Sequence, residues 1–221
     1  MIVVHHLDTS RSHRILWLLE ELGVPYDIVA YKRNAKTMLA PPTLMKIHPL
    51  GKSPVIIDGD RTITESGAII EYLVETYGPQ LAPAPGTPER LRYTYWMHYA
   101  EGSAMPLLLL KLVFQRMPAN VPILIRPIAR AISKRAQKTF IDPQFERHIG
   151  YWNAELSSRP WFAGENFTAA DIQMSYPVEG GIARFGIGKK YSAVRAFLDR
   201  IRARPAYQRA VARGGPPTLS R

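Results

Sequence analysis

The sequence predicts an α/β domain followed by an all-helical domain. Within the first eighty residues, short β-branched or alternating runs are interleaved with two runs of helical period. A Pro- and Ala-rich stretch at 79–90 breaks both periodicities, and no strand pattern is convincing beyond it. With 221 residues, 46% hydrophobic and 21% charged, the chain is long enough to bury a substantial core as one or two domains. We therefore divide it into residues 1–80 (α/β), a linker at 81–90, and 91–221 (all-α).

Residues 2–7 form a first strand, and 14–22 a helix stopped by Gly23 and Pro25. Residues 26–31 alternate as a second strand, so the first unit is a β-α-β whose crossover makes its two strands parallel. Residues 55–57 and 61–64 flank Asp58-Gly59-Asp60 and predict a hairpin. Ser66 is placed as the N-cap of the next helix, where Ala68, Ile69, Tyr72 and Leu73 recur at helical spacing until Gly78 and Pro79. Residues 91–114, 140–156, 168–185 and 193–203 supply the helices of the second domain. Thr168 and Asp171 fit a capping box with Asp in place of Glu, a structural role, with Phe167 stapled to Ile172.

Residues 51–70 carry the functional signal. A helix leaving a strand at once points free amides and a positive dipole end at whatever lies above, which suits a carboxylate. Glu65 beside it supplies the opposite charge, so the pair matches an α-amino acid end group. Pro54 cannot donate in a ladder and belongs at the first position of its strand, where a cis bond would turn the Val55 amide and carbonyl outward to pair with an extended peptide. The alternative is an ordinary edge hairpin followed by a capped helix.

Four ordered pieces resemble the glutathione transferase family: Ser10-Arg11-Ser12-His13-Arg14 before Leu16-Trp17-Leu18-Leu19-Glu20-Glu21-Leu22-Gly23; His48-Pro49-Leu50-Gly51-Lys52-Ser53-Pro54-Val55; Thr64-Glu65-Ser66-Gly67-Ala68-Ile69; and Trp161-Phe162-Ala163-Gly164-Glu165-Asn166-Phe167-Thr168-Ala169-Ala170-Asp171-Ile172. The likeness is strongest to serine-type bacterial and fungal members. It implies a thioredoxin-like first domain that binds glutathione as co-substrate, and a helical second domain with a pocket for a small hydrophobic electrophile or a peroxide. It also implies a homodimer formed through the helices near 66–77 and 91–114.

The resemblance places Ser10 where other members carry a catalytic Ser, Tyr or Cys. A free thiol near pKa 8.5 is mostly protonated at neutral pH, so the protein's task is to stabilise the thiolate. The Ser10 hydroxyl, the amides of the helix starting near Ser12, and Arg11 or Arg14 are candidates for this; alternatively, Ser10 or Ser12 only caps the helix. The resemblance also implies that Lys52 helps to hold glutathione, and with Arg11, Val55, Glu65 and Ser66 it makes up the expected glutathione-binding set. Arg11 lies over the sulfur or touches the second substrate, and Lys52 has the alternative of a solvated loop residue. For the co-substrate pocket, Tyr99 and Met105 are the candidates, with Tyr95 and Trp96 near Glu101; helical spacing of such residues fits core equally well.

The chain has no cysteine, which excludes any branch working through its own thiol, leaving conjugation or peroxide reduction by bound glutathione. It also fits a reducing compartment. Met1-Ile2-Val3-Val4-His5-His6 lacks the pattern of a secretory signal, so the expectation is cytoplasmic. No metal is expected, because His13, His48, His98 and His148 share no ligand spacing. A net charge of +11 raises the question of nucleic acid, yet no zinc spacing, RNA signature or recognition-helix unit is present, so no specific nucleic-acid partner is expected. Residues 118–138 mix apolar with basic residues, are broken by Pro122 and Pro127, and read either as a flap over the pocket or as a peripheral membrane contact. A non-catalytic binding or regulatory protein of the same fold is the rival reading; Ser10 together with Glu65-Ser66 argues against it.

Overall fold

A computed structural model describes residues 1–186, 190–215 and 217. Strand β1 (Ile2–Leu7) lies at the centre of a four-stranded sheet in the order β2-β1-β3-β4. It runs parallel to β2 (Tyr26–Tyr31), with Ile2 opposite Tyr26 and Leu7 opposite Tyr31. On its other side it is antiparallel to β3 (Val55–Asp58), with Val4 opposite Ile56, and β3 pairs with β4 (Arg61–Thr64) as the predicted hairpin.

Helix α1 (Ser12–Leu22) buries every residue from Ser12 to Leu19, because it is enclosed by the sheet and by the second domain. Gly23 at φ 64 ends it, a left-handed shape that glycine adopts without a Cβ penalty. Helix α2 (Ser66–Tyr77) turns Ile69, Ile70, Leu73 and Val74 inward. Ser66 is not its N-cap as the sequence suggested. The chain leaves β4 so abruptly that Glu65 absorbs the turn at φ 69, ψ 127, and Ser66 is already the first helical residue.

Helix α3 (Pro88–Tyr99) starts earlier than predicted, since Thr87 Oγ accepts from the Arg90 amide and caps it. It continues through a π-turn at Ala100–Ala104 into α4 (Met105–Arg116). Most of the basic, apolar segment forms α5 (Arg126–Ala136), which a second π-turn, Gln137–Ile141, joins to α6 (Asp142–Ser158). Its prolines were misleading: Pro127 sits in the first turn, where a missing amide costs nothing. Ala129 and Ser133 pack against α4, the Ser133 hydroxyl donating to the Phe114 carbonyl at 2.6 Å, while Ile128 and Ile132 are exposed.

Helix α7 (Ala169–Phe185) is the central post of the second domain, buried from Ala169 to Gly181. At its start the Asp171 carboxylate accepts from the Thr168 amide, the Thr168 hydroxyl and the Phe162 amide. Helix α8 (Ser192–Arg202) follows, then α9 (Pro205–Gly214), which sequence periodicity did not anticipate. Only Ala206, Tyr207 and Ala210 of α9 are buried, and the helix packs against α1. A single apolar cluster runs from β1 and α1 through α3, α6, α7 and α8.

Candidate active site

Residues 8–11 link the end of β1 to the start of α1. Thr9 adopts φ 52, and a non-glycine residue holds that shape only where its surroundings fix it. Arg33 does much of the fixing: its Nε donates to Thr9 Oγ1 at 2.9 Å and to the Asp8 carbonyl at 3.2 Å, and its amide donates to Asp8 Oδ1 at 2.8 Å. From the second domain, the Tyr176 hydroxyl donates to the Thr9 carbonyl at 3.4 Å. The loop therefore presents Ser10 in one place.

Ser10 Oγ accepts from the Ser12 amide at 3.2 Å and lies 2.7 Å from Ser12 Oγ. Ser12 Oγ is in turn 2.8 Å from His6 Nδ1. Burial lowers the His6 pKa, opposed by its hydrogen bond to the Gly214 carbonyl and by the charge of Asp8. One turn along α1, Arg14 is buried; it donates to Glu101 Oε1 at 2.5 Å and to the Gln173 carbonyl at 2.7 Å. Arg11 Nε lies 3.2 Å from Glu101 Oε2 without being aligned to donate to it. Burial would raise the Glu101 pKa, but Arg14 and Arg11 outweigh it and hold the carboxyl below its usual range. Glu101 projects from the first π-turn, so a local irregularity of the helix aims the carboxylate that ties the second domain to the Ser10 loop.

Lys52 is exposed, and the Ser53–Pro54 bond is cis. The Ser53 hydroxyl donates to the His5 carbonyl at 2.9 Å and accepts from the Leu7 amide at 3.2 Å, so this bend is fastened beside the end of β1. Val55 follows the cis bond. It is fully buried at the first position of β3, in register with His5 on one side and Thr64 on the other. The exposed neighbour is the Lys52-Ser53 bend. Glu65 is exposed, Ser66 is buried at the start of α2, and no side-chain hydrogen bond occupies either among the described residues.

Tyr99 and Met105, the co-substrate candidates, lie in the helical core. The Tyr99 hydroxyl is held by His148 Nδ1 and accepts from Trp152 Nε1 at 3.0 Å. Residues that the sequence did not assign are Arg33, Glu101 and His6. The first two meet partners 24 and 87 positions away, separations at which periodicity carries no signal.

Residues 1–75 match the family model for the glutathione S-transferase N-terminal domain, and residues 124–209 match that for a C-terminal domain of the same family. Glutathione S-transferase 3 of Schizosaccharomyces pombe is 38% identical over all of this chain and 90% of its own length. The chain belongs to the glutathione S-transferase family. The glutathione S-transferase 1 of Saccharomyces cerevisiae is 30% identical over 94% of this chain and 92% of its own. A solved glutathione S-transferase from Actinobacillus pleuropneumoniae superposes with a TM-score of 0.77 at 31% identity, covering 100% of this chain and 96% of that one. The four-stranded mixed sheet with its helical partner domain is thus the glutathione transferase fold, thioredoxin-like in its first part. Among the described residues no group of three or more His, Asp or Glu side chains could hold a metal ion, and no helix is long and apolar enough to cross a membrane.

Proposed function

We propose that this transferase ionises the thiol of bound glutathione with the Ser10 hydroxyl and adds the sulfur to small hydrophobic electrophiles. What carries the reading is the placement of Ser10 Oγ at the start of α1, held by the Ser12 amide, on a loop braced by Arg33 and Tyr176 in a chain that has no thiol of its own. A hydroxyl donating to a thiolate favours the charged sulfur, and the helix start adds a positive potential. Lys52 and Glu65 offer exposed charges of both signs to the tripeptide's ends, and the first amides of α2 at Ser66 offer a carboxylate site. Arg11, beside Glu101, borders the sulfur on the side of the second domain. The peptide's extended backbone pairs with the start of β3 at Val55, beside the Lys52-Ser53 bend.

Thiol conjugation to a model aryl halide tests the reading: turnover that falls strongly in Ser10→Ala supports it. Absence of turnover in both proteins, with binding of glutathione retained, would favour the rival non-catalytic binder. Parallel assays with cumene hydroperoxide and with a small disulfide divide conjugation from reduction. The disulfide arm is included because a relative in Escherichia coli, 28% identical over 96% of this chain, is named a disulfide-bond oxidoreductase. The reading also includes a homodimer through α2 and α3. Leu91 and Tyr95 are exposed at helical spacing on α3, and light scattering should return twice the 25.0 kDa chain mass.

A further inference from the structure

The Ser10 hydroxyl begins a buried row of hydrogen bonds that ends far away in sequence. Ser10 Oγ is 2.7 Å from Ser12 Oγ, Ser12 Oγ is 2.8 Å from His6 Nδ1, and His6 Nε2 is 2.9 Å from the Gly214 carbonyl oxygen. Ser10, Ser12 and His6 are 6%, 0% and 7% exposed, so water does not scramble the row. A carbonyl only accepts, so His6 Nε2 carries the hydrogen. With the imidazole neutral, Nδ1 has a lone pair; Ser12 donates to it, and the Ser12 oxygen is left to accept from Ser10. The other acceptor near the Ser12 hydroxyl, the Leu7 carbonyl, is more distant at 3.3 Å. Both hydroxyls therefore point towards His6, the direction in which a proton must travel to leave the sulfur.

We propose that Ser10, Ser12 and His6 form a proton relay that carries the thiol proton of bound glutathione to His6 Nδ1. The inference rests on the reading of Ser10 given above. The S–H bond breaks as its proton joins Ser10 Oγ, the original Ser10 proton passes to Ser12 Oγ, and the original Ser12 proton passes to His6 Nδ1. Each oxygen gains one proton and loses one. The sulfur becomes an anion, the imidazole a cation, and no electron or further reactant is needed. The shift also reverses the row: Ser10 now donates to the thiolate, Ser12 donates to Ser10, and Nδ1–H donates to Ser12. The hydroxyl that received the proton is thereby converted into the donor that stabilises the anion.

Burial disfavours a cation at His6, and two neighbours oppose that cost. The Gly214 carbonyl accepts from Nε2 in either state, and Asp8 favours the charge from the end of the same strand. His13 on α1 opposes it only if it is itself protonated, and burial keeps His13 neutral down to a pKa of about 4. Helix α9 sets the far end of the row. A Cβ on Gly214 would lie 2.2 Å from Leu16 Cδ1 and 3.5 Å from His6 Nε2, so the last turn of α9 brings its carbonyl to His6 at a place where a larger residue would push the helix away. Ser12, His6 and Gly214 act through Ser10 and are positioning residues, with no contact to substrate.

The test follows the His6 imidazole nitrogens by nitrogen-15 NMR in the full chain, free and saturated with glutathione or with S-methylglutathione at neutral pH. His6→Gln assigns the signal, and calorimetry verifies that both ligands bind. The relay predicts that glutathione protonates His6 and that S-methylglutathione, with no proton to give, leaves it neutral. As a second measurement, His6→Gln and Ser12→Ala should each lower the fraction of bound thiolate about tenfold at a pH below the thiol's midpoint, while Ser12→Thr restores it and the affinity for S-methylglutathione stays unchanged. If glutathione binds and His6 remains neutral in both complexes, the relay is wrong and the role of Ser10 survives. If neither ligand binds, the glutathione reading has failed, and the relay with it.

Discussion

Thr9 shows how much of the site is decided by single residues. Its φ of 52 costs a threonine on the order of 1–3 kcal/mol, and the bonds from Arg33 and Tyr176 offset that strain while fixing where the Ser10 hydroxyl starts. Lys52 has no comparable anchoring and contributes as an exposed charge. Lys52→Ala should accordingly raise the KM for glutathione several-fold with little change in kcat, as steady-state kinetics at varied glutathione would show. His13 gives a pH signature of a different kind. Burial, and to a lesser degree His6, lowers its pKa to about 4, whereas in the unfolded chain it titrates near 6.5. As pH falls the unfolded state takes up the proton first. The stability that His13 contributes is thus complete above about pH 6.5 and is lost progressively towards pH 4, by up to about 3 kcal/mol. Urea unfolding of wild type and His13→Phe across that window should show the variant losing less stability on acidification.

At the scale of elements, the start of α7 depends most heavily on one side chain. Asp171 is fully buried and takes three hydrogen bonds, two of them from the backbone amides of Phe162 and Thr168. Burial raises its pKa to about 6 in spite of those bonds. Asp171→Ala strands both amides and should destabilise the fold by about 3 kcal/mol, visible as a lowered urea midpoint. Elements with strong local signals were legible in the sequence: β1, β2, the hairpin, α2 and the capping Thr168-Asp171 pair all rest on periodicity or turn chemistry. Helix α9 was not, because only Ala206, Tyr207 and Ala210 face inward, too sparse a stripe to stand out among arginines. Helix α5 was obscured by prolines that open it rather than break it. In the site, Ser10 and Val55 were named from the family pattern and turn chemistry, whereas Arg33 and Glu101 were not, because their partners lie far away in sequence.

For the whole molecule, the chemistry depends on the two domains meeting in one arrangement. Arg14 from the first reaches Glu101 and the Gln173 carbonyl of the second, an ion pair buried on its Arg14 side, so that loss of Glu101 strands a buried cation. Glu101→Gln keeps the shape but removes the charge. It should lower thermal stability by several degrees and reduce kcat/KM, because the Arg14 end of α1 no longer holds the Ser10 loop against the second domain. Scanning calorimetry and initial rates on the same preparation check both effects. No reading of local sequence could have joined residues 14 and 101, or 6 and 214, which only the closed structure brings together.

On the proposed function, a cysteine-free chain makes a borrowed sulfur anionic through one hydroxyl. The most direct test is the ultraviolet thiolate absorbance of bound glutathione, followed against pH in wild type and Ser10→Ala. A charge-assisted hydrogen bond of about 1.5–3 kcal/mol predicts a wild-type midpoint about 1–2 units below that of the free thiol, shifted back upward in the variant. A midpoint equal in the two proteins would contradict the account.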